Sequence, residues 1–419
     1  MTHYDFIIAG GGAAGLSLAY QLINSPLRDS SILVIDKGNK QRNDRTWAFW
    51  TDQPTPFEPI VYRSWEQLHL ADDERGQVLD LHNYRYQMIR GIDFYQFVHA
   101  ALQACPHVTL LQGHVEQIID GPQVAQVIVG DQIYTGTWVF DSIFRPSERL
   151  DDERYQYLQL HFKGWEIETA TDVFRPNAAT LMDFRTPQAG ETRFFYVLPF
   201  SPRRALVEFT VFSDQRFSNQ AYAEALHEYL AHVLDVTAYQ IVAEEQGVIP
   251  ATDQPFPRRI GERVMTIGTK GGRVKPTTGY AFVRIQQDTA ALIQSLIYYG
   301  HPFDVPEDAR RYRLLDTIML EMMDHYGEEL KSVFTNMFEH NPIQRILRFL
   351  DEEATPLENL QLIATMPPWQ FIQVALQWQL THNKHMHPFA RLIQPPPDSH
   401  PEHYDAEGDG WLHNAVRMF

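Results

Sequence analysis

Apolar and polar positions along this chain follow two rhythms, and the switches between them mark its elements. Residues 4–9 form a strand-length apolar run ending in Phe6-Ile7-Ile8-Ala9, and Gly10-Gly11-Gly12-Ala13-Ala14-Gly15 follows at once. Residues 16–22 then have helical spacing, and residues 31–35 form a second strand-like run that ends in Asp36. The order strand, glycine turn, helix, strand, acid is that of a dinucleotide-binding βαβ unit. From about residue 53 to 230, short β-rich runs alternate with turns. Residues 124–129 and 138–141 read as strands, and 193–198 and 205–212 read as a pair joined around Ser201-Pro202-Arg203. A helix is predicted over 221–234, a short strand over 265–268, a Gly/Pro-rich loop to Gly279, and a helix over 281–299.

The last third reads as largely helical. Asn341-Pro342 has the form of a capping residue before a first-turn proline, and Ile343, Ile346, Leu347 and Leu350 fall on one helical face. Thr355-Pro356-Leu357-Glu358 has the form of a capping box. After Pro367-Pro368, residues 369–380 carry Trp369, Phe371, Ile372, Val374, Leu376, Trp378 and Leu380, nearly all round a helix. Such a helix is either buried core or a membrane-facing gate. Beyond residue 384 the chain turns polar and rich in proline and histidine, as weakly ordered tails are.

Charge narrows the function. Lys plus Arg total 35 against 53 Asp plus Glu, a net charge of −18. An acidic chain without a basic run is a poor nucleic-acid binder, because cationic contacts supply that affinity. Cys105 is the one cysteine of the sequence, which excludes an internal disulfide and a multi-cysteine metal site. His385, His387, His400 and His403 lack a carboxylate-rich framework, so no metal is expected. No apolar stretch approaches the roughly 20 residues of a membrane-spanning helix. The N-terminus lacks a signal-type leader.

Gly10, Gly12 and Gly15 fit G-x-G-x-x-G, in which glycine permits the tight turn and lets backbone approach a pyrophosphate. The amides at Ala13 and Ala14 open the following helix, whose N-terminal dipole favours an anion. Asp36 lies 21 residues after Gly15, where a ribose-binding acid is expected. A second segment bears on the choice between FAD and a nicotinamide. Gly268-Thr269, then Pro276-Thr277-Thr278-Gly279-Tyr280, resembles the second flavin-contacting segment of the FAD monooxygenase-like fold, with Thr269 where aspartate is usual. Val139-Phe140-Asp141 reads as a strand end closing the same site.

Further stretches resemble the lycopene cyclase family, flavoproteins that close the ends of linear carotenes, and most of all its bacterial β-cyclases. They are Asp44-Arg45-Thr46-Trp47-Ala48-Phe49-Trp50, Ile89-Arg90-Gly91-Ile92-Asp93-Phe94, the run from Tyr196 to Pro202 into Arg204-Ala205-Leu206-Val207-Glu208-Phe209-Thr210, Gln246-Gly247-Val248-Ile249-Pro250, and the segment from Gly271 to Phe282. The resemblance implies FAD, reduced by NADPH or another reductant and then retained. It implies Arg45 and Arg90 beside the cofactor and a substrate such as lycopene. It also implies a cytoplasmic protein in peripheral contact with a membrane.

It further implies Glu208 as the proton-handling acid. The residues alone leave Glu208 open to two other readings, an exposed strand carboxylate or a partner of Arg204. Alternation places it on a face with Leu206, Thr210 and Phe212. The family motif has a second glutamate where this chain has Phe209. Trp47, Phe49, Trp50, Phe195, Tyr196 and Phe200 are candidates to line a substrate tunnel and face a cation. A flavin monooxygenase, a polyprenyl reductase and a non-catalytic carotenoid-binding flavoprotein are the alternatives on the same sequence.

The expected fold is α/β. A discontinuous Rossmann-like FAD-binding domain of the monooxygenase and geranylgeranyl-reductase kind takes residues 1–52, 86–150 and 260–300. A β-rich substrate domain takes 53–85 and 151–259. A helical, possible membrane-facing region follows over 301–383, and then the tail over 384–419.

Overall fold

The computed structural model describes residues 2–150, 152 and 154–366. The apolar 369–380 segment and the histidines of the tail lie outside the described residues. Two compact units are present, Met1–Pro187 with Arg193–Glu307, and Gln188–Thr192 with Asp308 onward.

In the first unit, β1 (Thr2–Ala9), α1 (Ala13–Ile23) and β2 (Ile32–Asp36) open the chain. Then come β3 (Thr46–Thr51), β4 (Arg63–Trp65), β5 (Gln67–Ala71), β6 (Gly76–Asp80), β7 (Arg85–Arg90) and α2 (Gly91–Gln103). Next are β8 (Val108–Gln112), β9 (Gln117–Ile119), β10 (Ala125–Val129) and β11 (Gln132–Asp141). The unit continues with β12 (Tyr157–Thr169), β13 (Ala178–Asp183), β14 (Thr192–Ser201), β15 (Arg204–Ser213), α3 (Asn219–His232), β16 (Tyr239–Thr252), β17 (Val264–Thr266) and α4 (Phe282–Tyr299).

One sheet has the order β8-β2-β1-β11-β10-β9, with β17 also on β11. Its β8, β2, β1, β11 and β17 run parallel, as a crossover through α1 requires. Phe6 and Ile8 of β1 face a core shared with α1, α2 and α4, while Ile7 and Ala9 face the opposite core with Val127 and Val139. Burial on both faces is why β1 and β2 read as unbroken apolar runs rather than as alternation.

A second sheet, β16-β12-β15-β14-β13-β5-β6, is mostly antiparallel. One face of β15 (Ala205, Val207, Phe209, Val211) packs with Tyr222, Leu226, Tyr229 and Leu230 of α3. Its other face carries Leu206, Glu208 and Thr210 into a cavity. A small sheet, β3-β7-β4, pairs Thr46 with Arg90 and Trp47 with Ile89, so two motifs far apart in sequence lie side by side.

The second unit carries α5 (Arg310–His325), α6 (Leu330–His340), α7 (Ile343–Leu350) and α8 (Pro356–Ile363). Ile343, Ile346, Leu347 and Leu350 are buried on one face of α7. The Thr355–Glu358 capping box is formed, with both of its reciprocal hydrogen bonds. Asn341 departs from the capping role the sequence suggested. Pro342 takes the N-cap position of α7, and the Asn341 amide instead donates to the Met337 carbonyl at 3.0 Å and to Thr365 Oγ1 at 2.7 Å. Among the described residues no helix is long and apolar enough to cross a membrane.

Candidate active site

A single cavity of about 1010 Å³ in the first unit runs from the glycine turn to the inner face of the second sheet. At its first end lie Gly10, Gly12, Ala13 and Ala14. A Cβ on Gly15 would stand 1.9 Å from the Gly10 carbonyl oxygen, so only glycine lets α1 close onto β1 here. Gly12 differs: a Cβ there meets nothing within 4 Å. It is the N-cap of α1, with no side chain capping the helix, so first-turn amides lack a side-chain acceptor beside open space. Asp36 lies at the same end; its carboxylate accepts the Gly11 amide at 2.6 Å and the Gly38 amide at 2.7 Å. The second segment reaches the same helix end. A Cβ on Gly268 would meet the Ala14 side chain at 2.7 Å, and Gly268, Thr269, Thr278 and Gly279 line the cavity. Bare backbone, an uncapped helix end and an acid at the end of β2 fit a dinucleotide such as FAD.

The other end holds two glutamates. Glu208 faces the cavity from β15, with Thr210 Oγ1 at 3.3 Å, and its carboxyl hydrogen-bonds the carboxyl of Glu245 on β16. Burial first, then the neighbouring Glu245 charge, pushes Glu208 well above the usual carboxylate range. Burial also raises Glu245, but the Thr46 hydroxyl, which donates to Glu245 Oε2 at 2.6 Å, opposes that shift. Arg204 does not pair with Glu208; it binds Glu166 at 2.6 Å. Beside the acids, Tyr280 Oη lies 3.3 Å from Tyr196 Oη and 3.4 Å from Tyr86 Oη. Burial pushes all three phenols up, so each stays a neutral hydrogen-bonding group. Leu160, Phe162, Leu198 and Leu206 supply apolar wall.

Of the residues singled out in the sequence, Arg45, Trp47, Tyr196, Glu208 and Tyr280 line this cavity together with the glycine-turn residues. Others do not reach it. Gly15 packs within the turn. Arg90 is held by Asp93 at 2.6 Å and lies over the Tyr62 ring. Asp141 turns to Lys270 at 2.6 Å, lining a separate cavity of about 510 Å³. Phe49 stacks on Phe282, and Phe200 packs edge-on to Tyr62. Trp50 stands behind the wall, its ring 4.4 Å from that of Tyr280. Phe195 stacks on Tyr229 of α3 at 3.8 Å. Phe209 belongs to the same α3-facing core, so its position in the motif points away from the cavity. The carboxyl beside Glu208 comes from Glu245, one residue before the Gln246-Gly247 segment and unmarked by any pattern of its own.

The fold is one already seen in solved structures. It is similar to a geranylgeranyl bacteriochlorophyll reductase-like protein of Thermoplasma acidophilum, with a TM-score of 0.57 and 14% identity, over 90% of this chain and 99% of that one. It is equally similar to the flavin-dependent brominase Bmp2, with a TM-score of 0.57 and 14% identity, over 83% and 93% of the two chains. The sequence goes further. The family model described as lycopene cyclase protein matches residues 5–376, and the chain belongs to the lycopene cyclase family. Among its relatives, lycopene beta-cyclase of Paracoccus sp. (strain N81106 / MBIC 01143) is 29% identical over 88% of this chain and 95% of its own. That of Pseudescherichia vulneris is 25% identical over 66% and 70%.

Proposed function

We propose that this protein binds FAD and closes the end groups of a linear carotene into β-rings without net oxidation, converting lycopene to β-carotene through γ-carotene. The observation that carries this reading is Glu208, a carboxyl whose pKa burial raises, facing a cavity walled by leucine, phenylalanine and neutral tyrosine. A strong acid shielded from water is what protonation of an unactivated alkene needs.

Gly10, Gly12, Ala13 and Ala14 would hold the pyrophosphate, and Gly268, Thr269, Thr278 and Gly279 the flavin end. When bound and reduced, by NADPH or another reductant, FAD supplies negative charge that offsets a carbocation. Glu208 gives its proton to the terminal double bond. The resulting cation is attacked by the double bond within reach along the chain, and loss of a ring proton ends the reaction. Trp47 and the tyrosine group line the space where a cation would form, and aromatic rings attract cations. The apolar wall excludes the water that would trap it. The substrate dissolves in membranes, so peripheral contact with a bilayer accompanies this function.

Incubating purified, dithionite-reduced, FAD-loaded protein with lycopene in liposomes tests the reading. Chromatography should show ring-bearing products, with no reductant consumed beyond the first reduction. Unchanged lycopene overturns it. Reductant use in step with product, or oxygen uptake, places the chain with the reductases or monooxygenases instead.

A further inference from the structure

Gly164 on β12 pairs with two residues at once, Glu208 of β15 on one side and Glu245 of β16 on the other. Residues directly opposite in an antiparallel sheet project to the same face. The two glutamates therefore stand on one face with a glycine between them. Strands flanking a common neighbour lie roughly 10 Å apart. Two glutamate side chains span that distance most freely over a residue that has no side chain of its own. A Cβ on Gly164 would stand 3.3 Å from Glu208 Cβ, 3.2 Å from Glu245 Cγ and 3.0 Å from Leu206 Cδ1.

We propose that Glu245 is a positioning residue for the ring closure: across the gap left by Gly164 it shares one proton with Glu208, standing as the ionised partner while Glu208 carries the acidic hydrogen. This rests on the cyclase reading above. Two carboxyls this close resist ionising together. Their surroundings decide which holds the proton. Glu245 receives the Thr46 hydroxyl at 2.6 Å and feels the positive charge of Arg45. Of the other charged groups around it, Glu166 opposes ionisation but is itself bonded to Arg204. Glu208 has Thr210 at 3.3 Å and otherwise faces the neutral phenols of Tyr86 and Tyr196. Balance follows directly. The proton leaves the Glu208 carboxyl and forms a carbon–hydrogen bond. Later a ring carbon–hydrogen bond breaks, its electron pair makes the ring double bond, and the proton returns to the pair, which by then carries two negative charges.

The test is the pH dependence of turnover in Glu245→Gln. Without the neighbouring charge Glu208 loses its proton at lower pH. The alkaline limb of kcat/KM should move toward acid by about one pH unit or more, with activity recovering as pH falls, and Glu245→Asp should stay near the wild-type limb. A limb that does not move, or a loss equal at every pH, overturns the proposal. A second measurement needs no substrate. Infrared titration of the FAD-loaded protein should show a protonated-carboxyl band persisting above neutral pH, absent in Glu208→Gln and titrating at lower pH in Glu245→Gln. Absence of that band in the wild type overturns the shared proton even if the same preparation forms rings. A band that behaves as described in a protein that forms none upholds the pair and removes the cyclase reading alone.

Discussion

The hydroxyl of Thr46 on β3 donates to Glu245 Oε2 on β16 at 2.6 Å, so the small antiparallel sheet and the edge of the large one meet at a carboxyl. Thr46 sits inside the aromatic motif at residues 44–50, which gives that motif a polar task beside its ring packing. Thr46→Val removes the donor at nearly constant volume. Turnover should fall severalfold and stability by about 1–2 kcal/mol, with Thr46→Ser restoring most of both. Denaturant midpoints and product assays on the three proteins check this.

Glu208→Gln should keep the fold and bind FAD while losing turnover by roughly 100-fold or more, the scale of a lost general acid. Its stability carries a sign. Burial raises the Glu208 pKa in the folded state, so the native protein holds a proton that the unfolded chain releases. The stability this contributes is present in full below the ordinary carboxylate range and is lost as pH rises toward the raised value. Guanidinium midpoints should therefore favour Glu208→Gln over the wild type increasingly with rising pH. A constant difference across that range would contradict the raised pKa.

Two glycines of the turn should separate binding from folding. Gly12→Ala adds a methyl that meets no protein atom within 4 Å, so melting should hardly change. FAD affinity should drop at least about tenfold, because that methyl occupies the space where backbone approaches the pyrophosphate. Gly15→Ala drives its methyl into the Gly10 carbonyl oxygen and should destabilise the fold itself. Flavin fluorescence titration and thermal melts read the two effects apart.

His161 is buried on β12, between Tyr222 Oη at 2.7 Å and Ser213 Oγ at 3.1 Å, and burial lowers its pKa to about 4. A histidine held neutral in the fold contributes stability above its unfolded pKa near 6.5, and that contribution is lost as pH falls toward 4. His161→Gln should flatten the acid side of the stability profile between those values. Urea midpoints across the window check the slope.

Local order was what the residues spelled out. The βαβ opening was legible because strand, turn, helix and acid are contiguous, and the β14–β15 pair because Ser201-Pro202-Arg203 punctuates it. Boundaries drifted where polar residues continue a strand. β11 runs Gln132–Asp141, whereas only its last four residues read as strand. The aromatic residues announced a lining but not its direction. Trp47 and Tyr196 turn to the cavity, while Phe49, Phe195 and Phe200 turn into packing, a choice made by neighbours distant in sequence. Glu245 was illegible for the same reason. It sits between exposed Glu244 and Gln246 in a polar stretch, and only the long β12–β16 register carries it opposite Gly164.

That register makes residue 164 hostage to its flanks. A methyl at residue 164 would press on Leu206, Glu208 and Glu245 together, so filling the gap asks all three side chains to give way at once. Sites scattered over 82 residues of chain, from 164 to 245, thus meet as one row across three strands.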